Sequence, residues 1–212
     1  MYNFILFDFD GTVFDTVEGI SKSVKYALNK HGMDAPLESL RCFAGPPLIE
    51  KFVEVFGVTV EEAQDLVDDY RERYKPIGIF ECRSFPGIEQ LLTELRAAGK
   101  KLAIATLKPQ YMAESILERS GLITYFDAIF GSDHNGKGTK EEMAGKCMDA
   151  IGAKPDETIL VGDTKYDILG AHKAGLKAIG VRYGYAAEGE LEAADADFIV
   201  DTVEQLKDFL LK

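Results

Sequence analysis

A chain of 212 residues, 46% of them hydrophobic and 28% charged, has the length for one large domain, or for a domain carrying an insert, and the composition of a soluble globular protein. Its formal net charge of -12 argues against a nucleic-acid backbone as partner, because that binding depends on clustered Lys and Arg. Cys42, Cys82 and Cys147 are odd in number and widely spaced, and His31, His134 and His172 share no zinc-ligand spacing, which argues against a sulfur or imidazole metal site and for reduced thiols in the cytoplasm.

The N-terminus carries no basic region or cleavage site, and no apolar run reaches the ~18 residues of a membrane span, so neither a signal peptide nor a transmembrane helix is expected. The first element is an apolar run, Phe4-Ile5-Leu6-Phe7, that reads as a buried strand and leads into Asp8-Phe9-Asp10-Gly11-Thr12-Val13. Alternation along a strand sends Asp8 and Asp10 to one face. Two adjacent negative charges repel, and such a pair persists most easily where a cation holds it. The plainer reading is an Asp-Gly turn at a strand end.

Helices follow. Thr16 is a plausible N-cap for a helix bearing Val17, Ile20, Val24, Ala27 and Leu28 on one face, and Gly32 stops it. A second helix after Pro46-Pro47 carries Leu48, Ile49, Phe52, Val53 and Phe56; a third starts at Thr59, where Glu62 completes a capping box, and ends before Pro76. No convincing strand occurs between about Asp15 and Arg83, which reads as a helical insert with its own small core.

After Pro86-Gly87 helix and strand alternate. Helices are expected at Ile88 to Ala98, Met112 to Ser120, Thr139 (with Glu142 as a second capping box) to Ile151, Asp167 to Ala174 and Val203 to Leu211. Strands are expected at Lys101 to Thr106, Ala128 to Phe130, Thr158 to Val161, Ala178 to Val181 and Asp197 to Val200. The alternation implies an α/β fold, a doubly wound, Rossmann-like parallel sheet with helices on both faces, interrupted by a small α-helical insert. The expected division is a core of residues 1–15 and 84–212 and an insert of residues 16–83. Ligands of such sheets sit at the carboxyl ends of the strands, beside the switch point.

Three further stretches fall at those ends. Thr106 closes an apolar strand, where a hydroxyl and the next backbone N–H can together grip a phosphate oxygen; a strand-capping Thr is the plainer reading. The loop Gly131 to Lys140 leads from a strand into a helix and supplies two lysines, Lys140 just inside the capping box and Lys137 as the alternative. Asp163 follows Val161-Gly162 at a strand tip, with Asp167 four residues on. An oxygen-only ligand set selects magnesium over zinc.

Together and in this order, Asp8-Phe9-Asp10-Gly11-Thr12, Thr106, the lysine loop and Gly162-Asp163-x-x-x-Asp167 resemble the four motifs of the haloacid dehalogenase superfamily, in its phosphoglycolate phosphatase-like branch. That resemblance implies a phosphatase in which Asp8 is the nucleophile that forms an aspartyl-phosphate and Asp10 is the general acid and base. It implies Mg²⁺ held by the Asp8 carboxylate, the Asp10 backbone carbonyl and Asp163, with Asp167 acting through water or from outside the coordination sphere. Thr106, the Leu107 amide and Lys140 would bind the phosphoryl oxygens. An acid at position 10 is kept by phosphatases and phosphomutases of the superfamily and absent from its dehalogenases. The helical insert resembles the family's cap, and Phe43 to Leu48 its cap loop, which makes Arg41, Gly45 and Pro46, with Lys22, candidate substrate contacts. Leu107 and the missing Lys-Pro after the third motif depart from commoner versions. The expected substrate is a small phosphomonoester, phosphoglycolate-like, a sugar phosphate or a nucleotide, with no nucleic-acid or membrane partner, acted on by a monomer or homodimer. A β-phosphoglucomutase-type mutase and a non-catalytic phosphate-binding regulatory module are the alternatives.

Overall fold

Strand β1 (Phe4–Phe7) is built from the first apolar run, and three of its four residues are fully buried in the computed structural model, which describes residues 2–134 and 136–212. The chain divides into two compact units, Met1–Phe14 with Ser84–Lys212, and Asp15–Arg83. The first junction lies one residue earlier than the sequence pattern suggests, because the chain leaves and returns through two very short strands, β2 (Phe14–Asp15) and β3 (Arg83–Ser84), which pair with each other.

The unit Asp15–Arg83 is helical. Helix α1 (Val17–Lys30) turns its buried Ile20, Val24, Ala27 and Leu28 inward at the expected spacing. Helix α2 (Leu48–Phe56) ends on Gly57 in the left-handed conformation. The Thr59 capping box with Glu62 starts α3 (Val60–Tyr74), each side chain bonding the other's backbone N–H. Periodicity of 3.6 does not reveal the 3₁₀ segment Leu37–Phe43, whose buried residues, Leu40 and Phe43, stand three apart. Phe43 packs against Phe52 with ring centroids 4.7 Å apart.

The other unit alternates as expected: α4 (Ile88–Ala97), β4 (Lys101–Pro109), α5 (Gln110–Ser120), β5 (Ala128–Ser132), α6 (Lys140–Ile151), β6 (Thr158–Gly162), α7 (Lys165–Lys173), β7 (Lys177–Val181), the short α8 (Glu190–Ala193), β8 (Phe198–Val200) and α9 (Val203–Leu210). Strand β4 runs three residues past the expected end at Thr106, and α8 was not anticipated. The strands form one parallel sheet in the order β5-β4-β1-β6-β7-β8. Leu6, Ala103, Leu160 and Ala178 pack in one cluster with Met143, Cys147 and Ile168 of α6 and α7, so alternation turns Ile5 and Phe7 to the opposite face. Both faces are covered, as a parallel sheet requires, and the fold is a doubly wound, Rossmann-like α/β sheet. Among the described residues, no helix is long and apolar enough to cross a membrane.

Candidate active site

Strand register brings the suspected residues together. Phe7 pairs with Ile104 on one side and with Val161 on the other. Asp8, Thr106 and Asp163 therefore lie within two residues of one line, Asp8 and Asp163 just past the ends of their strands and Thr106 inside β4, which runs on to Pro109. Connections run from β1 to β4 and β5 on one side and to β6, β7 and β8 on the other, so β1 borders the switch point, where open α/β sheets bind ligands. Gly11 turns the β1 loop at φ +84°, and a Cβ there would fall 2.0 Å from Asp163 Oδ2. Only glycine meets both demands.

Asp8, Asp163 and Asp167 each offer a carboxylate oxygen within 4.8 Å of the others, all three residues being buried. Lys140 stands among them: its Nζ donates to Asp8 Oδ1 at 2.5 Å and to the Ala105 carbonyl at 2.8 Å, and pairs with Asp167 Oδ1 at 2.6 Å. The side chains of Lys140 and Asp167 are each 3% exposed. Burial pushes the Asp8 carboxyl up to about 7, against the opposing pull of Lys140. Burial, reinforced by Asp167 and Asp8, lifts the Asp163 carboxyl well above its ordinary value. Burial works against the Lys140 charge, but Asp167 and Asp8 overcome it and hold the ammonium above its ordinary value. With the three acids ionised, the group of Asp8, Asp163, Asp167 and Lys140 carries −3 + 1 = −2. A divalent cation would balance that charge, and carboxylate oxygens are the donors that Mg²⁺ takes. The residues fit the ion.

Asp163 is held from two directions. Tyr185 N–H donates to its Oδ2 at 2.7 Å and Thr12 Oγ1 to its Oδ1 at 3.4 Å, while the Tyr183 hydroxyl donates to the Thr12 carbonyl at 3.1 Å. Gly184 lies so near that a Cβ there would meet Asp163 Cβ at 2.3 Å. Asp167 Oδ2 accepts both the backbone N–H and the hydroxyl of Thr164 at 2.9 Å.

Asp10 takes a different lysine from Asp8. Its two oxygens lie 3.0 and 3.2 Å from Lys108 Nζ. Thr106, almost fully buried within β4, accepts the Lys108 backbone N–H on Oγ1 at 3.1 Å, and the Leu107 carbonyl accepts from Ser132 Oγ at 2.7 Å. Of the two lysines left open by the sequence, Lys140 reaches Asp8, whereas Lys137 lies exposed in its loop, with its backbone N–H donating to Asp133 Oδ1 at 2.8 Å. Asn135 of that loop lies outside the described residues. Arg41, Gly45 and Pro46 belong to the helical unit, where Arg41 is exposed on the 3₁₀ segment and Gly45 follows it at φ +102°. Lys22, in the same unit, is paired with Glu18 and Glu81.

Sequence reasoning missed Lys108, Tyr183, Gly184 and Tyr185. Lys108 sits inside a stretch already singled out for Thr106, and its position two residues past the strand-tip hydroxyl was the available signal. The turn after β7 had none.

Comparison with known proteins agrees with this geometry. The family model described as haloacid dehalogenase-like hydrolase matches residues 5–181. A 5'-nucleotidase of Pseudomonas aeruginosa is 41% identical over 91% of this chain and 88% of its own. A phosphoglycolate phosphatase of Vibrio vulnificus is 30% identical over 98% of this chain and 95% of its own. The crystal structure of a protein described as a predicted phosphatase from Clostridium acetobutylicum superimposes with a TM-score of 0.93 at 44% identity, covering 100% of this chain and 99% of that one.

Proposed function

The chain belongs to the haloacid dehalogenase-like hydrolase family, and we propose that this phosphatase is Mg²⁺-dependent, hydrolyses small phosphomonoesters and works through an aspartyl-phosphate on Asp8. The observation that carries the reading is the buried meeting of Asp8, Asp163 and Asp167 with Lys140 at the carboxyl end of β1.

A carboxylate oxygen of Asp8 attacks phosphorus and forms the acyl phosphate, while the ester P–O bond breaks and its electron pair leaves with the alcohol oxygen. Asp10 protonates that oxygen and later takes a proton from the water that releases phosphate. Lys140, Thr106 and the Leu107 N–H bind the other phosphoryl oxygens, where preorganised donors stabilise charge that spreads in the transition state. We assign Asp8, Asp163 and the Asp10 backbone carbonyl as the ligands of Mg²⁺. The bonds that Asp167 already accepts from Thr164 and Lys140 favour a role outside direct ligation. When bound, the ion supplies the positive charge that lets an acidic site admit a phosphate dianion.

Identity of 41% to a 5'-nucleotidase supports nucleoside monophosphates as the first substrates to try, ahead of phosphoglycolate and sugar phosphates. Choice among these we assign to the helical unit Asp15–Arg83, inserted directly after the loop that carries Asp8 and Asp10, with Arg41, Gly45 and Pro46 as candidate contacts. The test is a phosphate-release screen over these three classes, with and without Mg²⁺, beside Asp8→Asn. Release that needs Mg²⁺ and vanishes in the variant is expected. Turnover by Asp8→Asn, or turnover indifferent to chelation, overturns the reading.

A further inference from the structure

Lys108 lies outside the four motifs, yet it is the cation that grips Asp10. Its Nζ stands 3.0 Å from Oδ1 and 3.2 Å from Oδ2, so the ammonium straddles the carboxylate instead of touching one corner. The lysine side chain is 4% exposed against 17% for Asp10, which makes the cation the more fixed member of the pair. Its base is anchored by the N–H bond to Thr106 Oγ1, and its Nζ lies 5.7 Å from the centroid of the buried Phe9 ring, inside the range of a cation–π contact. Asp10, by contrast, sits in a loop that turns at Gly11, where a short carboxylate has rotamers to choose from.

We infer that Lys108 is a positioning residue for proton transfer: it fixes the Asp10 carboxyl in the orientation from which the leaving oxygen is served. This rests on the reading of Asp10 as the acid. As the Asp8–phosphorus bond forms, the ester P–O bond breaks and the leaving oxygen takes the proton carried on one Asp10 oxygen, while Lys108 holds the other oxygen and transfers no proton. The consequence is a dependence on the leaving group. An alkyl alkoxide is too basic to depart unprotonated, whereas p-nitrophenolate leaves as a stable anion that needs little help. Misplacing a catalytic group by about 1 Å costs roughly 10²-fold in rate.

The experiment compares kcat/KM for an alkyl phosphate, glycerol phosphate, with that for p-nitrophenyl phosphate in the wild type, Lys108→Met, Lys108→Arg and Asp10→Asn. Because kcat/KM covers the reaction up to departure of the first product, it reports the expulsion of the leaving group. Mg²⁺-induced thermal stabilisation of each variant serves as the check on fold and metal site. Lys108→Met is expected to lose about 10²-fold more on the alkyl ester than on the aryl ester, to keep its Mg²⁺ stabilisation, and to be partly rescued by Lys108→Arg. Should the methionine variant not fold, Lys108→Gln carries the same comparison. Equal losses on the two substrates, or loss of the Mg²⁺ response, would make Lys108 merely structural and overturn the inference. If Asp10→Asn is biased by leaving group and the Lys108 variants are not, the inference alone fails. If Asp10→Asn shows no bias, the assignment of Asp10 fails and takes the inference with it.

Discussion

Replacing Lys140 by methionine removes one charge and keeps most of the side chain's length, so it isolates what the ammonium does. Three short contacts go at once: Asp8 Oδ1 at 2.5 Å, Asp167 Oδ1 at 2.6 Å and the Ala105 carbonyl at 2.8 Å. The two acids left behind are 10% and 3% exposed at the side chain, too little for water to replace the lost partner. Breaking a buried pair by removing one member costs about 3–5 kcal/mol. In a chain of this length each kcal/mol is worth about 2–4 °C, so the metal-free variant is expected to melt roughly 6–20 °C below the wild type at pH 8. The loss should shrink toward pH 6, since Asp8, already pushed up to about 7 by burial, then takes a proton. Mg²⁺ should restore more stability to the variant than to the wild type, because the acid cluster it would enter has lost the positive charge of Lys140. Circular-dichroism melts of both proteins at the two pH values, with chelator and with Mg²⁺, make the comparison. Coincident melts in chelator at pH 8 would refute the electrostatic account of the cluster.

The same burial gives the metal-free wild type a pH dependence of definite sign. The folded state raises Asp8 from 3.8 to about 7, so between those values it binds more protons than it does in the unfolded chain, and the contribution of Asp8 to stability falls as pH rises through that window. Urea unfolding in chelator from pH 5 to pH 8, wild type beside Asp8→Asn, reads it: the wild type is expected to lose stability relative to the variant as pH rises, by a few kcal/mol as an order of magnitude; a difference that does not change with pH would contradict it. At Gly184 an added methyl would meet Asp163 Cβ at 2.3 Å and Oδ2 at 2.5 Å, forcing the acid or its loop to move. Gly184→Ala is therefore expected to weaken Mg²⁺ binding, read by calorimetry on the metal-free protein, by about 10-fold or more, the scale of effects seen when a metal ligand's support is removed. Unaltered Mg²⁺ affinity would show that Asp163 does not need its close packing against the turn after β7.

How much of this was legible beforehand follows from which signals are local. An apolar run bounded by a turn marks a strand end wherever it occurs, so Asp8 and Asp163 could be set at strand tips without knowing the sheet order, whereas Thr106, expected at a tip, lies inside β4, which runs on to Pro109. The capping boxes at Thr59 and Thr139 are equally self-contained, each closing within four residues. Pairing across the sheet is of another kind. Two acids stand two residues apart on β1's loop and two buried lysines wait 98 and 132 positions away. Nothing in spacing says which lysine takes which acid, and the exchange, Lys108 with Asp8 and Lys140 with Asp10, writes an equally sensible sequence. The fold decides it. Strand β4 neighbours β1, but its register with β5 shifts between Ala105 and Pro109, so simple alternation past Thr106 does not predict where Lys108 points. Lys140 enters from the first residue of α6, and its bond to the Ala105 carbonyl ties it to the strand beside Asp8. Chemistry depends on that choice, since the cation beside the nucleophile also pairs with Asp167 of the acid cluster, while Lys108 pairs with Asp10. Two carboxylates two residues apart thus acquire different partners, and different work, from strand order, the register shift in β4 and the start of α6 together.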